Sequence, residues 1–367
     1  MADDAATASH PRLTSGRTAG SGSADRAASE AADWFEVSWN PTAGCSLVSP
    51  GCDHCYAMRI AARLARMGGA TASRYDGLTI MERSGPRWTG EIRIAADLLT
   101  WPLYRRRPRR IAVNLMSDLF HEHLAAPTID LLHAVMAAAN WHIFLVLTKR
   151  AERMHAYYTD PRTPDRIAES LNLLWSEVIP KAGHRRTVLG HADQAMSQGR
   201  LGRWPLPNLW LGVSVEDQDR ITRVRDLLDT PAAIRWVCFE PLLGRVRPDA
   251  VPIDTNHFDA IGGSHYGIDG RGRRVTVEGP AWRPLDWVVA GGEIGAGARP
   301  MQPQWVRELR DKSGARGVPF LFRQWGEWAP ALAGAAGQGM IRVGKRAAGR
   351  LLDGRSWDQI PVTAQAD

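Results

Sequence analysis

Seven short, near-continuous apolar runs punctuate the chain, at 34–39, 110–116, 142–148, 209–215, 234–239, 286–290 and 318–323. Runs of this kind, without strict alternation, are what parallel strands covered on both faces leave in a sequence. Helical patterns fall between them. After the first run Ile60, Leu64 and Met67 recur at helical spacing, while Arg59, Arg63 and Arg66 take another face and Gly68-Gly69 supplies a stop. Residues 127–139 predict a helix with Pro127 in its first turn. Residues 221–228 and 305–312 predict two more. The alternation predicts an α/β fold, a full or partial (β/α) barrel of parallel strands, with a doubly wound open sheet as the competing architecture. Segments near 159–207 and 254–281 read as insertions of the kind that serve as lids. The barrel-like domain is expected over 34–330, followed by a C-terminal extension over 331–367.

Residues 1–33 are rich in Ala, Ser, Gly and Thr and nearly empty of large apolar side chains, which predicts a disordered tail. No apolar run approaches the roughly 20 residues that span a bilayer, and the first residues have no signal-like apolar stretch. A soluble cytoplasmic protein without a membrane partner is therefore expected. The 46 Lys and Arg against 39 Asp and Glu give a net charge of +7. A modest basic excess attracts phosphate-bearing partners only weakly. Part of it lies in the run from Arg105 to Arg110, which reads as a solvated loop entering a strand, with a phosphate contact as the alternative. The 15 tryptophans serve cores and stacking surfaces alike.

Chemistry in parallel α/β folds gathers where the strands end. Here the second run finishes in Asn114, Ser117 and Asp118, the third in Thr148-Lys149-Arg150, and the fourth in Ser214 and Glu216-Asp217. Glu240 follows the fifth, Gly291-Gly292-Glu293 the sixth, and Gln324-Trp325-Gly326-Glu327 the seventh. Any one of these polar residues can be a helix cap or an ion-pair partner; together they predict an active-site rim.

Three of the four cysteines, Cys45, Cys52 and Cys55, stand as C-x6-C-x2-C in a Gly/Pro-rich loop after the first run. Three thiolates on one loop can wrap one face of an iron–sulfur cluster and leave one iron open. A structural zinc site needs a fourth ligand, which Cys238, His54, His121 or His123 could supply. Cys238 lies mid-strand and reads as a buried, inert thiol. His121-Glu122-His123 reads as a surface loop.

The three-cysteine loop after a first barrel strand, with a helix behind it, resembles the radical S-adenosylmethionine superfamily. The usual spacing there is C-x3-C-x2-C, so the first gap here is longer by three. More closely, residues 34–361 are similar to a large uncharacterised family carried by phages, prophages and bacteria. The shared patterns stand here as Trp39-Asn-Pro-x-x-Gly-Cys45, Cys52-x-x-Cys55-Tyr56, Asn114-x-Met-Ser-Asp-Leu-Phe-His121, Leu147-Thr-Lys-Arg150, Glu240-Pro-Leu-Leu-Gly244 and Gln324-Trp-Gly-Glu-Trp328.

The superfamily resemblance implies that Cys45, Cys52 and Cys55 hold a [4Fe–4S] cluster whose fourth iron chelates S-adenosylmethionine, giving a 5′-deoxyadenosyl radical after reduction. It implies cofactor contacts from His54 and Tyr56 beside the last cysteine. Gly291, Gly292 and Glu293 are similar to the motif that receives the methionine amino group, although here they follow the sixth run and not the second. Asn114, Ser117 and Asp118 are the other candidates for that role. Lys149 or Arg150 would meet a carboxylate or phosphate, and Glu216 and Glu240 ribose hydroxyls or substrate, which makes Lys149, Glu216 and Glu240 the catalytic candidates. A reductant protein of flavodoxin or ferredoxin type follows as partner, and a nucleotide or nucleic acid is the expected substrate class. The competing functions are a zinc-stabilised nucleic-acid-binding protein without catalysis and an iron–sulfur protein that does not use S-adenosylmethionine.

Overall fold

The computed structural model describes residues 33–174, 176, 196–197, 200–331 and 339–362. The tail expected over 1–33 lies outside them except for Asp33. Seven strands form one sheet: β1 (Val37–Trp39), β2 (Arg110–Val113), β3 (Ile143–Thr148), β4 (Leu209–Ser214), β5 (Ile234–Phe239), β6 (Trp287–Gly291) and β7 (Phe320–Gln324). They neighbour one another in chain order, and every pairing is parallel. A doubly wound sheet reverses its strand order at a switch point; this one does not. The sheet curls into a half-barrel.

The helices of seven or more residues among those described are α1 (Tyr56–Leu64), α2 (Gly69–Tyr75), α3 (Ala126–Ala138), α4 (Ala151–Thr159), α5 (Thr163–Leu173), α6 (Thr222–Leu228) and α7 (Pro303–Ala315). Side chains alternate along each strand, so one set faces the helices and the other faces the concave side. Ile111, Phe144, Val146, Leu211, Val213, Val237, Val288 and Phe320 pack with Leu132 and Val135 of α3, Val224 and Leu227 of α6, and Val306 and Leu309 of α7. The opposite set is Ala112, Leu145, Trp210, Trp236, Cys238, Trp287, Val289 and Leu321, joined by Trp34.

Tryptophans fill the lower concave side. The Trp236 and Trp287 rings lie 5.5 Å apart and those of Trp34 and Trp236 4.9 Å. A Cβ at Gly212 would stand 2.3 Å from the Trp236 indole, so glycine is what lets the ring lie across β4. With the floor full, the half-barrel's open space lies at the C-terminal ends of the strands. On the outer edge of β7, Phe322 donates its N–H to the Trp357 carbonyl at 2.9 Å and Leu321 bridges to Asp358, so the late chain covers that edge.

One local reading changes. Helix α1 buries Ala57, Met58 and Ala61, whereas Met67 is 66% exposed and the helix ends before Gly68. Close approach to the Trp88 region selects small residues, and the larger apolar stripe is left half outside. From the segment near 159–207, α5 packs on α3, with Arg166 donating to Asp130 at 3.1 Å; residues 175, 177–195 and 198–199 lie outside the described residues. Residues 251–276 form a four-stranded antiparallel sheet between β5 and β6. The arginine run enters β2 from its N-terminal end, opposite the open end of the barrel, and Arg105 stacks 4.4 Å above Trp101. No helix among the described residues is long and apolar enough to cross a membrane.

Candidate active site

One cavity opens at the C-terminal ends of the strands, with about 1130 Å³ of space including its mouth. Cys45, Cys52 and Cys55 all line it, with polar groups from the ends of β2, β3, β4, β5, β6 and β7 opposite. The cysteines are free thiols. Burial pushes Cys45 up to about 12, with the Asp118 charge adding to it and Arg150 opposing, and burial likewise raises Cys55.

The loop that carries the thiols is clamped at both ends. At the Cys45 end, Arg150 reaches the loop from the end of β3: Nη2 donates to Ser46 Oγ at 2.6 Å and Nη1 stands 3.8 Å from Cys45 Sγ. Its guanidinium is fixed by Asp118 at 3.0 Å and Glu122 at 2.6 Å. Ser46 in turn donates to Glu122 and lies 3.1 Å from His121 Nε2. His121 Nδ1 accepts the His123 N–H at 3.2 Å, so in the neutral ring Nε2 carries the proton and donates to Ser46. Burial holds that ring neutral, its pKa down to about 4. His121 is therefore no base for Ser46; the pair is a fastening.

At the other end Ser49 donates to Glu216 Oε1 at 2.7 Å, and a Cβ at Gly51 would stand 2.5 Å from the Glu216 side chain. Glu216 is fully buried and also binds Lys149 and, at 2.9 Å, Arg223. Burial pushes the Glu216 carboxyl up, but Lys149 and Arg223 outweigh it and hold the group below its ordinary value. A second strap comes from Arg299, whose Nη2 donates to the Pro50 carbonyl at 2.7 Å and to Glu293 Oε1 at 2.6 Å.

Two residues that line the cavity each carry a buried polar atom without a protein partner, Asn114 Nδ2 and Ser117 Oγ. Asn114 is 3% exposed and sits at φ 58°, a left-handed conformation that Asn tolerates. Its Oδ1 accepts the Thr42 N–H at 3.3 Å. That bond fixes the amide's orientation, so the free group is a donor. It complements a carboxylate or hydroxyl oxygen and not an ammonium group.

Among the described residues no three His, Cys, Asp or Glu side chains converge on a single metal ion. Ligands to a cubane each take a different iron, so they surround a cluster and do not meet at a point.

A family model described as "Protein of unknown function (DUF5131)" matches residues 29–361. The chain belongs to this family. No curated protein and no solved structure matches it.

In the DUF5131 chain, the cavity gathers His54, Tyr56, Asn114, Ser117, Asp118, Lys149, Glu240, Gly292 and Glu293 around the thiols. Glu216 and Gly291 stand behind its wall. Several of the acids already have partners. Asp118 accepts from Thr148 Oγ1 at 2.7 Å, the Lys149 N–H at 3.1 Å and Arg150. Glu240 is gripped by Arg323 at 3.0 Å and by Gln324 Nε2 at 2.8 Å. Glu293 takes the Arg299 side chain and its backbone N–H, the latter at 2.8 Å. The glycines before Glu293 have steric reasons: a Cβ at Gly291 would stand 2.8 Å from the Glu240 carboxyl carbon, and one at Gly292 1.9 Å from the Trp325 carbonyl. His54 lies over Gly297, where a Cβ would approach Nδ1 to 2.4 Å.

Arg323, Arg299 and Arg223 were not singled out by sequence reading. Arg323 had a usable signal, since it continues the inward period of β7 two residues after Leu321. Cys238 is buried below the thiol loop, lines the cavity floor, and is pushed up by burial.

Proposed function

We propose that this protein is a radical S-adenosylmethionine enzyme, with Cys45, Cys52 and Cys55 as ligands to a [4Fe–4S] cluster. The observation that carries the reading is the sharing of one strand-end cavity by three loop thiols and two residues with an unpartnered buried polar atom, Asn114 (Nδ2) and Ser117 (Oγ). The donor set fits: three sulfurs from one loop would ligate three of four irons, and among the described residues no three His, Cys, Asp or Glu side chains close on a single ion. Bound there, the cluster and S-adenosylmethionine supply reductive cleavage of the sulfonium carbon–sulfur bond and hydrogen abstraction from a substrate.

The chain's own residues supply position and dryness. Arg150 and Ser46 hold the Cys45 end of the loop, while Glu216 and the Glu293–Arg299 pair hold the Cys52 end. Asn114 Nδ2 and Ser117 Oγ would serve as donors to acceptor oxygens of the bound cofactor. Lys149 and Arg323, each already paired with a carboxylate, bring hydrogen-bond donors to the cavity wall. The tryptophan floor excludes water from below. A low-potential donor of flavodoxin or ferredoxin type provides the electron.

Anaerobic purification with iron, sulfide and zinc analysis, followed by reduction with S-adenosylmethionine, tests the reading. Stoichiometric iron and sulfide and formation of 5′-deoxyadenosine are expected. Cys45→Ala, Cys52→Ala or Cys55→Ala should each lose the cluster, whereas Cys238→Ala should keep it. One zinc per chain without iron would favour a zinc-stabilised binding protein, and a cluster without nucleoside product an iron–sulfur protein of another kind.

A further inference from the structure

Between Cys55 and Tyr75 the chain carries Arg59, Arg63, Arg66 and Arg74 and no acidic residue. Arg74 is spent on Asp97 at 2.8 Å. Among the described residues no ion pair involves the other three. They follow one another at i, i+4 and i+7 along α1 and its last turn, so they share one side of the helix. With Met67, Met81 and Pro86 they line a groove between α1 and the Thr79–Trp88 hairpin. Its apolar members stand in water: Met67 is 66% exposed and Met81 62%.

One end of the groove approaches the cavity wall. Arg59 Nη1 comes within 3.3 Å of where a Cβ would stand on Gly295, and two residues on Gly297 underlies His54 in the cavity wall. The three arginines are spread over about 10 Å at 1.5 Å per helical residue. That length spans more than one phosphate step of a nucleic-acid strand. Arginine forks bind phosphate oxygens in pairs, and the exposed thioethers give bases a soft apolar face.

From this we infer that the groove holds the phosphate backbone of a single-stranded nucleic acid, delivering one nucleotide to the cavity mouth. The inference rests on the cavity's radical-chemistry reading for what happens to that nucleotide, but strand binding stands apart from it. A single strand is favoured because the reacting nucleotide must leave any base stack to enter the cavity. The arginine run at the opposite end of the barrel has no part in it.

Fluorescence anisotropy of labelled DNA and RNA single strands on the full chain, before and after cluster reconstitution, tests this across about 50 to 200 mM salt. The double variant Arg63→Gln/Arg66→Gln, both exposed and outside the cavity, should bind about tenfold more weakly near 150 mM salt. Its log–log salt slope should be shallower by about 1.4, two phosphates at about 0.7 each. Arg107→Gln should bind as the parent does. Equal affinity of the double variant and the parent overturns the inference, as does binding of phosphatidylserine vesicles but of neither strand. If 5′-deoxyadenosine forms but no strand binds, the groove inference fails alone. If binding depends on Arg63 and Arg66 but no nucleoside forms, the radical reading fails alone.

Discussion

Along β4 and β5 the inward side chains pass from Trp210 and Trp236 at the bottom to Ser214 and Glu240 at the top, within four residues of each strand. The floor below is dry, aromatic and interlocked, with Gly212 yielding the space that the Trp236 indole occupies. The rim above is a set of ion pairs, Lys149 and Arg223 on Glu216, Arg323 on Glu240, Arg299 on Glu293, and Arg150 on Asp118. The same backbone thus carries two kinds of order. Burial of apolar area stabilises the floor. Buried ion pairs roughly break even in stability, so their use at the rim is geometric: they hold a loop of thiols in one place.

Removing a floor ring separates the two most strongly. Trp236→Ala should cost about 3–5 kcal/mol, measured by chemical denaturation, because a large buried side chain leaves a cavity that its neighbours fill only partly. The variant that still folds should keep its iron. Glu216→Gln should cost less, about 3 kcal/mol, since it leaves Lys149 and Arg223 without their counter-charge. It should nonetheless lose iron faster to a chelator, because Ser49 and Gly51 rest on that carboxylate. Iron retention equal to that of the parent would break the proposed division between floor and rim.

The smallest effect is a pH dependence. Burial pushes both His121 at the rim and His133 in the helical layer down to about 4 from an ordinary value near 6.5. His133 Nδ1 donates to the Ile129 carbonyl at 2.8 Å and Nε2 accepts from Tyr158, an arrangement for the neutral ring. Between about 6.5 and 4 the unfolded chain binds protons that the folded chain refuses, so stability falls as pH drops through that window. Melting temperature should therefore be flat above pH 7 and decline below about 6.5. A melting temperature that rises on acidification would contradict these assignments.

The seven strands were legible because each is a short apolar run closed by polar residues, and their sequential order follows from the helical crossovers between neighbours, except between β5 and β6, where an antiparallel sheet takes the helix's place. The gathering of Asn114, Lys149, Glu240 and Glu293 at one end followed from the parallel direction alone. The use of the acids was not legible. Nothing near Glu216 or Glu293 in sequence says that Arg223 or Arg299 will occupy its oxygens, because such pairing depends on how loops from different strands meet. Helix α1 misled for a related reason: amphipathic spacing favours Ile60, Leu64 and Met67, but close packing took Ala57 and Ala61. The free donor at Asn114 could not be foreseen either, since its direction is set by a bond from Thr42, on another segment.

The central claim is an iron that no side chain ligates, and electron paramagnetic resonance of the reduced, iron-loaded chain observes it directly. A spin-half cluster signal that changes its g-values when S-adenosylmethionine is added is the predicted result, absent in Cys52→Ala. A cluster spectrum indifferent to S-adenosylmethionine, or no cluster signal from a chain loaded with zinc, would contradict it.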